Sequence, residues 1–296
     1  MSENRENNRL SPEQTKPPSS EKRNACEITI HAILFRTTRL TLTKVTELLS
    51  SRPKQQRPSP ENPSKASTSS SKSSKSFSAR DGLGAYIAKP ESYPSSVVIN
   101  HNADFVAIYD MFPKSSLHIL LLPRDQSKTH LHPFEAFEDA EFLAKVKAQV
   151  YKLRSHAAGE LRRKYGKYSA QDKARQEALD LEPPPDVLPA GRDWEKEIVC
   201  GVHAVPSMNH LHVHVIAVDR YSERLKHRKH YNSFATPFLV PIEDFPLSPD
   251  DERRHPTREG YLKRDFVCWR CGKGFGNKFV ELKQHLEQEF DEWKRL

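Results

Sequence analysis

Apolar positions change period several times along this chain, and each change predicts an element. Residues 81–90 read as a short helix stopped by Pro90. Residues 97–100 (VVIN), 105–110 (FVAIYD) and 117–123 (LHILLLP) are short, nearly continuous apolar runs, which predict successive strands of an antiparallel meander. Apolar side chains then recur near helical spacing over 134–153. A charged run over 157–181 predicts a second helix, which ends at the proline-rich loop 182–193. Residues 198–207 predict a strand paired with the next apolar stretch, where His210, His212 and His214 alternate with Leu211, Val213 and Val215. A last helix is predicted over 278–293. Residues 51–78 are dominated by Ser, Pro, Lys and Gln and cannot bury enough apolar surface to fold. Before them, residues 28–49 suit a short strand or helix but carry no motif.

The histidine stretch holds the most chemistry. Side chains of a strand alternate faces, so three imidazoles at period two share one face while the aliphatic residues enter the core. An exposed strand face would favour Thr, Lys or Glu instead. A shared metal ion is disfavoured by reach, because at roughly 3.3 Å per residue His210 and His214 lie about 13 Å apart. Imidazole titrates near 6.5 and is largely neutral at pH 7, which suits attack on phosphorus. The pattern therefore favours a nucleophilic histidine flanked by two helpers.

A second constellation lies near the C-terminus. Cys268 and Cys271 form a Cys-x-x-Cys knuckle, His285 follows fourteen residues later, and Glu289 stands four beyond it. The knuckle presents two thiolates to one ion, and positions i and i+4 of a helix point the same way, which supplies four donors for a tetrahedral, structural Zn2+. Glu287, only two residues past His285, cannot replace Glu289 from that face. Phe275, Phe279, Leu282 and Leu286 would form a core too small to fold without the ion. A redox pair would be expected near a βαβ pattern, and none surrounds the knuckle.

Composition narrows the class further. Of 296 residues, 36% are hydrophobic, enough for one medium domain and a small module. No apolar run approaches the ~20 residues that span a bilayer, and MSENRENNRL lacks the apolar core of a secretory signal. Four cysteines in this length do not make a disulfide scaffold, so reducing surroundings are expected, cytosol or nucleus. The formal charge of +8 resides entirely in residues 1–80, with 15 Lys and Arg against 7 Asp and Glu, while residues 81–296 balance at 32 against 32. A nucleic-acid surface on the folded part therefore requires local clustering. Arg220, Arg224, Lys226, Arg228 and Lys229, with His227 and His230, form the clearest cluster and could hold the phosphates of a polynucleotide.

His-x-His-x-His followed by apolar residues resembles the signature of the histidine-triad superfamily of nucleotidyl hydrolases and transferases. PSMNHLHVHVIA, followed by KHYNSF at 229–234, is similar to its aprataxin branch, the DNA-adenylate hydrolases, from about residue 81 to 296. Uridylyltransferase relatives would carry prolines between the histidines. The resemblance implies an α+β fold, a histidine-triad antiparallel sheet with packed helices, plus a small zinc finger with two cysteines, a histidine and a glutamate, the variant of fungal aprataxins. Composition sets apart a disordered basic tail over 1–80, and the resemblance implies a catalytic domain over 81–245, with a charged helical insertion at about 155–193, and a DNA-binding finger over 246–296. His212 becomes the nucleophile, with His214, His210, His118 and Ser207 completing the catalytic set. Asp110 matches the acidic residue that accepts ribose hydroxyls. Lys114, His203, Lys229 and His230 match nucleotide- or DNA-binding positions.

The implied substrate is nicked or broken DNA whose 5′ phosphate is joined to AMP by abortive ligation. His212 would form a covalent His-AMP intermediate, and water would release AMP. A nuclear location, with the cytoplasm open, and repair-protein partners for the tail belong to the same expectation. Leu83 or Tyr86 is expected to stack on the terminal base pair. Two other readings compete with this one: a hydrolase of small nucleotides such as dinucleoside polyphosphates or phosphoramidates, and a non-catalytic zinc-finger DNA-binding protein.

Overall fold

The computed structural model describes residues 79–296. The expectations for residues 1–78, including the Ser/Pro-rich tail and the 28–49 stretch, lie outside the described residues. A six-stranded antiparallel sheet runs in the order β1-β2-β3-β5-β4-β6, with β1 at Val98–His101, β2 at Phe105–Tyr109, β3 at His118–Pro123, β4 at Ile198–His203, β5 at Val213–Ala217 and β6 at Leu239–Pro241. The meander β1-β2-β3 and the pairing of β4 with β5 agree with the pattern of the sequence. The fourth strand ends at His203 and not at 207, and β6, only three residues long, gave no periodic signal.

Both faces of the sheet are covered, which explains why its strands are continuously apolar. Phe105, Ala107, Ile119, Leu121, Val213 and Val215 face the main core. Val106, Ile108, Leu120 and Leu122 face the other side, against Leu83 and Ile87 of the α1 region, where α1 spans Gly84–Ala88. His212 and His214 therefore belong to the α1 side of the sheet.

The long helices differ from the sequence reading. After the single turn α2 (Pro133–Ala136), α3 runs unbroken over Ala140–Tyr165, capped by Asp139, whose carboxylate accepts from the amides of Glu141 and Phe142. Its buried stripe Leu143, Val146, Val150, Leu153, Ala157, Leu161 keeps helical spacing throughout, so the charged exterior of 157–165 hides a continuation of the first helix. An insertion that starts at 155 is thereby corrected. Only α4 (Ala170–Leu179) and the following loop stand apart, and α4 buries none of its residues.

Beyond the sheet lie α5 (Arg228–Ala235), α6 (Pro256–Glu259), a hairpin of β7 (Phe266–Val267) with β8 (Gly274–Gly276), and α7 (Phe279–Trp293). The finger does not depend on its own apolar residues alone. Phe266, Phe275, Leu282 and Leu286 pack with Leu225 and Tyr231, while Phe290 and Trp293 of α7 enter the main core. Among the described residues no helix is long and apolar enough to cross a membrane.

Candidate active site and metal centre

Strand register brings the histidines together. His118 pairs with Ile216 and Leu120 with His214, so His118 and His214 are diagonal neighbours on one face, the spacing at which long side chains meet across a sheet. His118 Nε2 lies 2.9 Å from His214 Nδ1. His203, from β4, places its ring 4.4 Å from that of His214, and the His212 ring lies 4.9 Å from it. Phe234 of α5 closes the cluster with edge-on contacts to His118 and His214 at 5.3 and 5.1 Å.

Hydrogen bonds assign the tautomers. The amide of Lys114 donates to His118 Nδ1 at 3.3 Å, so the His118 proton sits on Nε2 and is donated to His214 Nδ1. His214 then carries its own proton on Nε2, a buried donor with no protein partner. In His212, Nδ1 donates to the carbonyl of His210 at 2.8 Å, which leaves the lone pair on Nε2. Asp110 Oδ2 lies 3.2 Å from His118 Nδ1, ready for a proton placed there, and Oδ1 accepts from the Phe112 amide at 2.7 Å. Asp110, His118 and His214 offer donors within 4.8 Å of one another, but their nitrogens are engaged with one another in this relay.

Two cavities share this centre. One, of about 310 Å3, has largely apolar walls that include Leu83, Tyr86, Ile108, Leu120 and Met208, with His212 among its lining residues. The other, of about 340 Å3, is lined by His118, His203, His227, Lys229 and His230. Asp110, Lys114, Ser207 and His214 form the wall common to both. One chamber thus suits a nucleobase and the other suits anions, and the four shared residues stand where a phosphate joining the two would lie.

Burial dominates the titration of the rings. It lowers His118 to about 4, with Asp110 pulling the other way, and takes His203 and His214 well below the ordinary imidazole value. His212 is also lowered by burial, against the opposing pull of its bond to His210. At neutral pH these rings are uncharged, as a nucleophilic imidazole requires. Unfolded imidazoles charge below about 6.5 whereas the folded rings resist, so the unfolded state binds more protons and stability falls as the pH is lowered through this window. The urea midpoint is expected to be flat above about pH 6.5 and to drop as pH approaches 4, with a shallower drop in His118→Gln. A midpoint independent of pH between these limits contradicts neutral buried rings.

Several residues sit elsewhere than the sequence suggested. His210 precedes β5, which begins at Val213, and its ring lines neither cavity. Its ring lies tilted against that of His130, with centroids 4.7 Å apart, and flush against Gly84, where an added Cβ would come within 2.8 Å of Nε2. Its contribution to the centre is therefore its carbonyl. Leu83 is buried and lines the first chamber, while Tyr86 is half-exposed against Tyr93.

The basic cluster also divides. Arg220 is buried, with φ of 49°, and its guanidinium donates to the carbonyls of Phe234 and Ala217. Arg228 binds the carbonyls of Lys263 and Arg264 and the side chain of Asn277, and stacks on Phe266. Both spend their guanidinium donors on acceptors within the fold, Arg220 in the interior and Arg228 at the surface. Arg224, Lys226 and Lys229 remain exposed. What sequence reasoning missed is mostly apolar: Ile108, Leu120 and Met208 line the first chamber, yet in sequence they are indistinguishable from core. Phe234 could have been found, since it belongs to the KHYNSF segment.

In the finger, Cys268, Cys271, His285 and Glu289 bring one donor atom each within 4.8 Å of the others. Cys271 Sγ and Glu289 Oε1 lie 3.1 and 3.0 Å from His285 Nε2. Gly272, at φ of 73°, turns the knuckle in the left-handed region that favours glycine. Arg270 pairs with Glu289 at 2.5 Å and with Glu292 at 2.9 Å, which orients the carboxylate. Two thiols, an imidazole and a carboxylate converging on one point fit a tetrahedral zinc site.

Comparisons with known proteins agree with this geometry. A family model for the HIT domain matches residues 91–221, and one for the C2HE / C2H2 / C2HC zinc-binding finger matches residues 235–292. An aprataxin-like protein of Schizosaccharomyces pombe is 39% identical over 221 residues, covering 73% of this chain and 83% of the relative. One from Saccharomyces cerevisiae is 35% identical over 217 residues, covering 72% and 97%. The crystal structure of the aprataxin ortholog Hnt3 in complex with DNA superposes with a TM-score of 0.59 at 36% identity, covering 73% of this chain and 96% of that one.

Proposed function

This chain belongs to the aprataxins of the histidine-triad family, and from that premise we propose that His212 is the residue that takes AMP from an adenylated DNA end. The protein is a hydrolase, a DNA deadenylase acting on the 5′ adenylate that abortive ligation leaves. One observation carries the assignment of the nucleophile: the bond from His212 Nδ1 to the His210 carbonyl leaves an unprotonated Nε2 on a ring that lines the chamber.

The adenylate base enters the apolar chamber, and the DNA 5′ phosphate occupies the basic one. His212 Nε2 attacks the AMP phosphorus in line; the Nε2–P bond forms, the bridging P–O bond breaks, and the DNA phosphate leaves with the electron pair. Water then cleaves the Nε2–P bond and releases AMP. His214 Nε2–H, Lys114 and the Ser207 hydroxyl face the non-bridging oxygens, whose charge grows in the transition state. A phosphate is a good leaving group, so charge stabilisation outweighs proton donation. His118 orients His214 and hands any proton toward Asp110, which also remains the matching residue for the ribose hydroxyls.

Cys268, Cys271, His285 and Glu289 hold a structural zinc, because four protein donors leave no open position for water. Exposed Arg224, Lys226 and Lys229, with the finger, contact the DNA backbone flanking the break. Action on DNA breaks makes the nucleus the working location and leaves the N-terminal tail to repair partners.

The experiment compares kcat/KM on adenylated nicked DNA with that on a free dinucleoside polyphosphate. The DNA substrate is expected to be preferred by more than about tenfold, about 1.4 kcal/mol of transition-state binding. Equal values would assign the site to small nucleotides.

A further inference from the structure

We propose that Asp219 is a positioning residue for this reaction: from the end of β5 it grips the turn over residues 113–116 so that Lys114 reaches the reacting phosphates. The inference rests on the reading of Lys114 as a phosphate contact.

Asp219 is fully buried and touches neither chamber. A buried carboxylate is costly unless its oxygens are satisfied. Here they are met almost wholly by one short segment. Oδ1 accepts from the Ser116 amide at 3.0 Å and the Tyr221 amide at 2.8 Å, and Oδ2 accepts from the Ser116 hydroxyl at 2.6 Å. The Ser115 hydroxyl lies 2.8 Å from Oδ1 and 2.6 Å from the Ala217 carbonyl, and it accepts from the Arg220 amide at 3.1 Å. The Ser222 hydroxyl donates to the Pro113 carbonyl at 2.6 Å. Residues 217–222 thus clamp residues 113–116 on both sides of Lys114.

Function enters through what the clamped turn carries. Lys114 is one of four residues lining both chambers, and its amide assigns the His118 tautomer. Ser115 and Ser116 line neither chamber, so their bonds to Asp219 serve placement. Since His212 immediately precedes β5, the clamp ties the strand that follows the nucleophile to the turn bearing the cation. Sheet pairing alone does not do this, because the turn precedes β3 and lies outside its ladder. A misplacement of about 1 Å at such a group costs on the order of 100-fold in rate.

The test is a double-mutant cycle on adenylated nicked DNA. Asp219→Asn keeps the volume but replaces one acceptor oxygen with a donor. It is expected to lower kcat roughly 10- to 100-fold while changing KM less than about threefold. Lys114→Ala lowers kcat as well, and adding Asp219→Asn to it should bring little further loss. A buttress serving the whole fold would instead lower kcat by the same factor in both backgrounds, and that result overturns the proposal. Ser116→Ala keeps Asp219, removes the 2.6 Å bond and is carried through the same cycle, so an unfolded Asp219→Asn leaves the question decidable. If Lys114→Ala alone leaves kcat unchanged, the phosphate role of Lys114 fails and the proposal with it. Additive losses condemn the positioning role alone.

Discussion

His212→Ala abolishes turnover of adenylated nicked DNA, with kcat falling by roughly 10⁴- to 10⁶-fold, while affinity for the nicked duplex stays close to that of the wild type. The size of the loss follows from the step removed. On the proposed mechanism, loss of Nε2 closes the covalent route and leaves His214, Lys114 and Ser207 to stabilise a direct attack by water. Affinity survives because the ring is only 4% exposed and offers the DNA little surface, whereas the exposed cations of the 224–229 segment are untouched. The decisive measurement is trapping: wild-type protein mixed with DNA labelled in the adenylate, then quenched in acid-free denaturant, should carry label. The variant should carry none. Turnover retained by His212→Ala would remove this residue as the nucleophile.

Loss of the knuckle has the second-largest consequence. Cys271→Ala is expected to release zinc, lower Tm by roughly 10 °C and weaken DNA binding. Structural zinc contributes about 10 kcal/mol or more of apparent free energy to fingers that fold around it, comparable to the ~5–15 kcal/mol that holds an ordinary domain together. Here the damage should spread in one direction. Leu282 and Leu286 share a cluster with Leu225 and Tyr231, and Tyr231 donates its hydroxyl to the Val267 carbonyl at 2.8 Å, so a loosened hairpin reaches α5. Phe290 and Trp293 are anchored in the main core, and Arg192 binds the Trp293 carbonyl at 2.7 Å, so the end of α7 should remain helical. Zinc content measured beside hydrogen exchange along α7 tests both statements. Zinc retained at the wild-type level in Cys271→Ala refutes the ligand set.

The two constellations differ in how they are built, and this decides how each responds to change. The finger's donors come from one hairpin and one helix, local units whose spacing is covalent. The histidine centre draws on β3, β4, β5, α5 and the turn before β3, so its geometry depends on register and on contacts such as Phe234 against His118. Substitutions distant from the chambers therefore have a route to the chemistry that the finger lacks.

Sequence alone determined what depends on local spacing. The alternation of Leu211, Val213 and Val215 with the histidines assigned their faces, and the i, i+4 relation selected Glu289 over Glu287, because the repeat of a strand or helix is a property of the backbone. Continuous apolar runs marked β2 and β3, since a strand covered on both faces has no polar side to alternate with. Tertiary structure decided the rest. Whether an arginine meets solvent or caps carbonyls, as Arg220 and Arg228 do, depends on how elements outside its own segment pack against it. A buried stripe carries α3 through residue 157 under a charged exterior, and only the partner surface distinguishes the two. His210 had every sequence credential of a catalytic group, but β5 starts after it and α1 takes its ring. Distance along a chain fixes which residues can share a face, while the packing of separate elements chooses which of them reach the substrate.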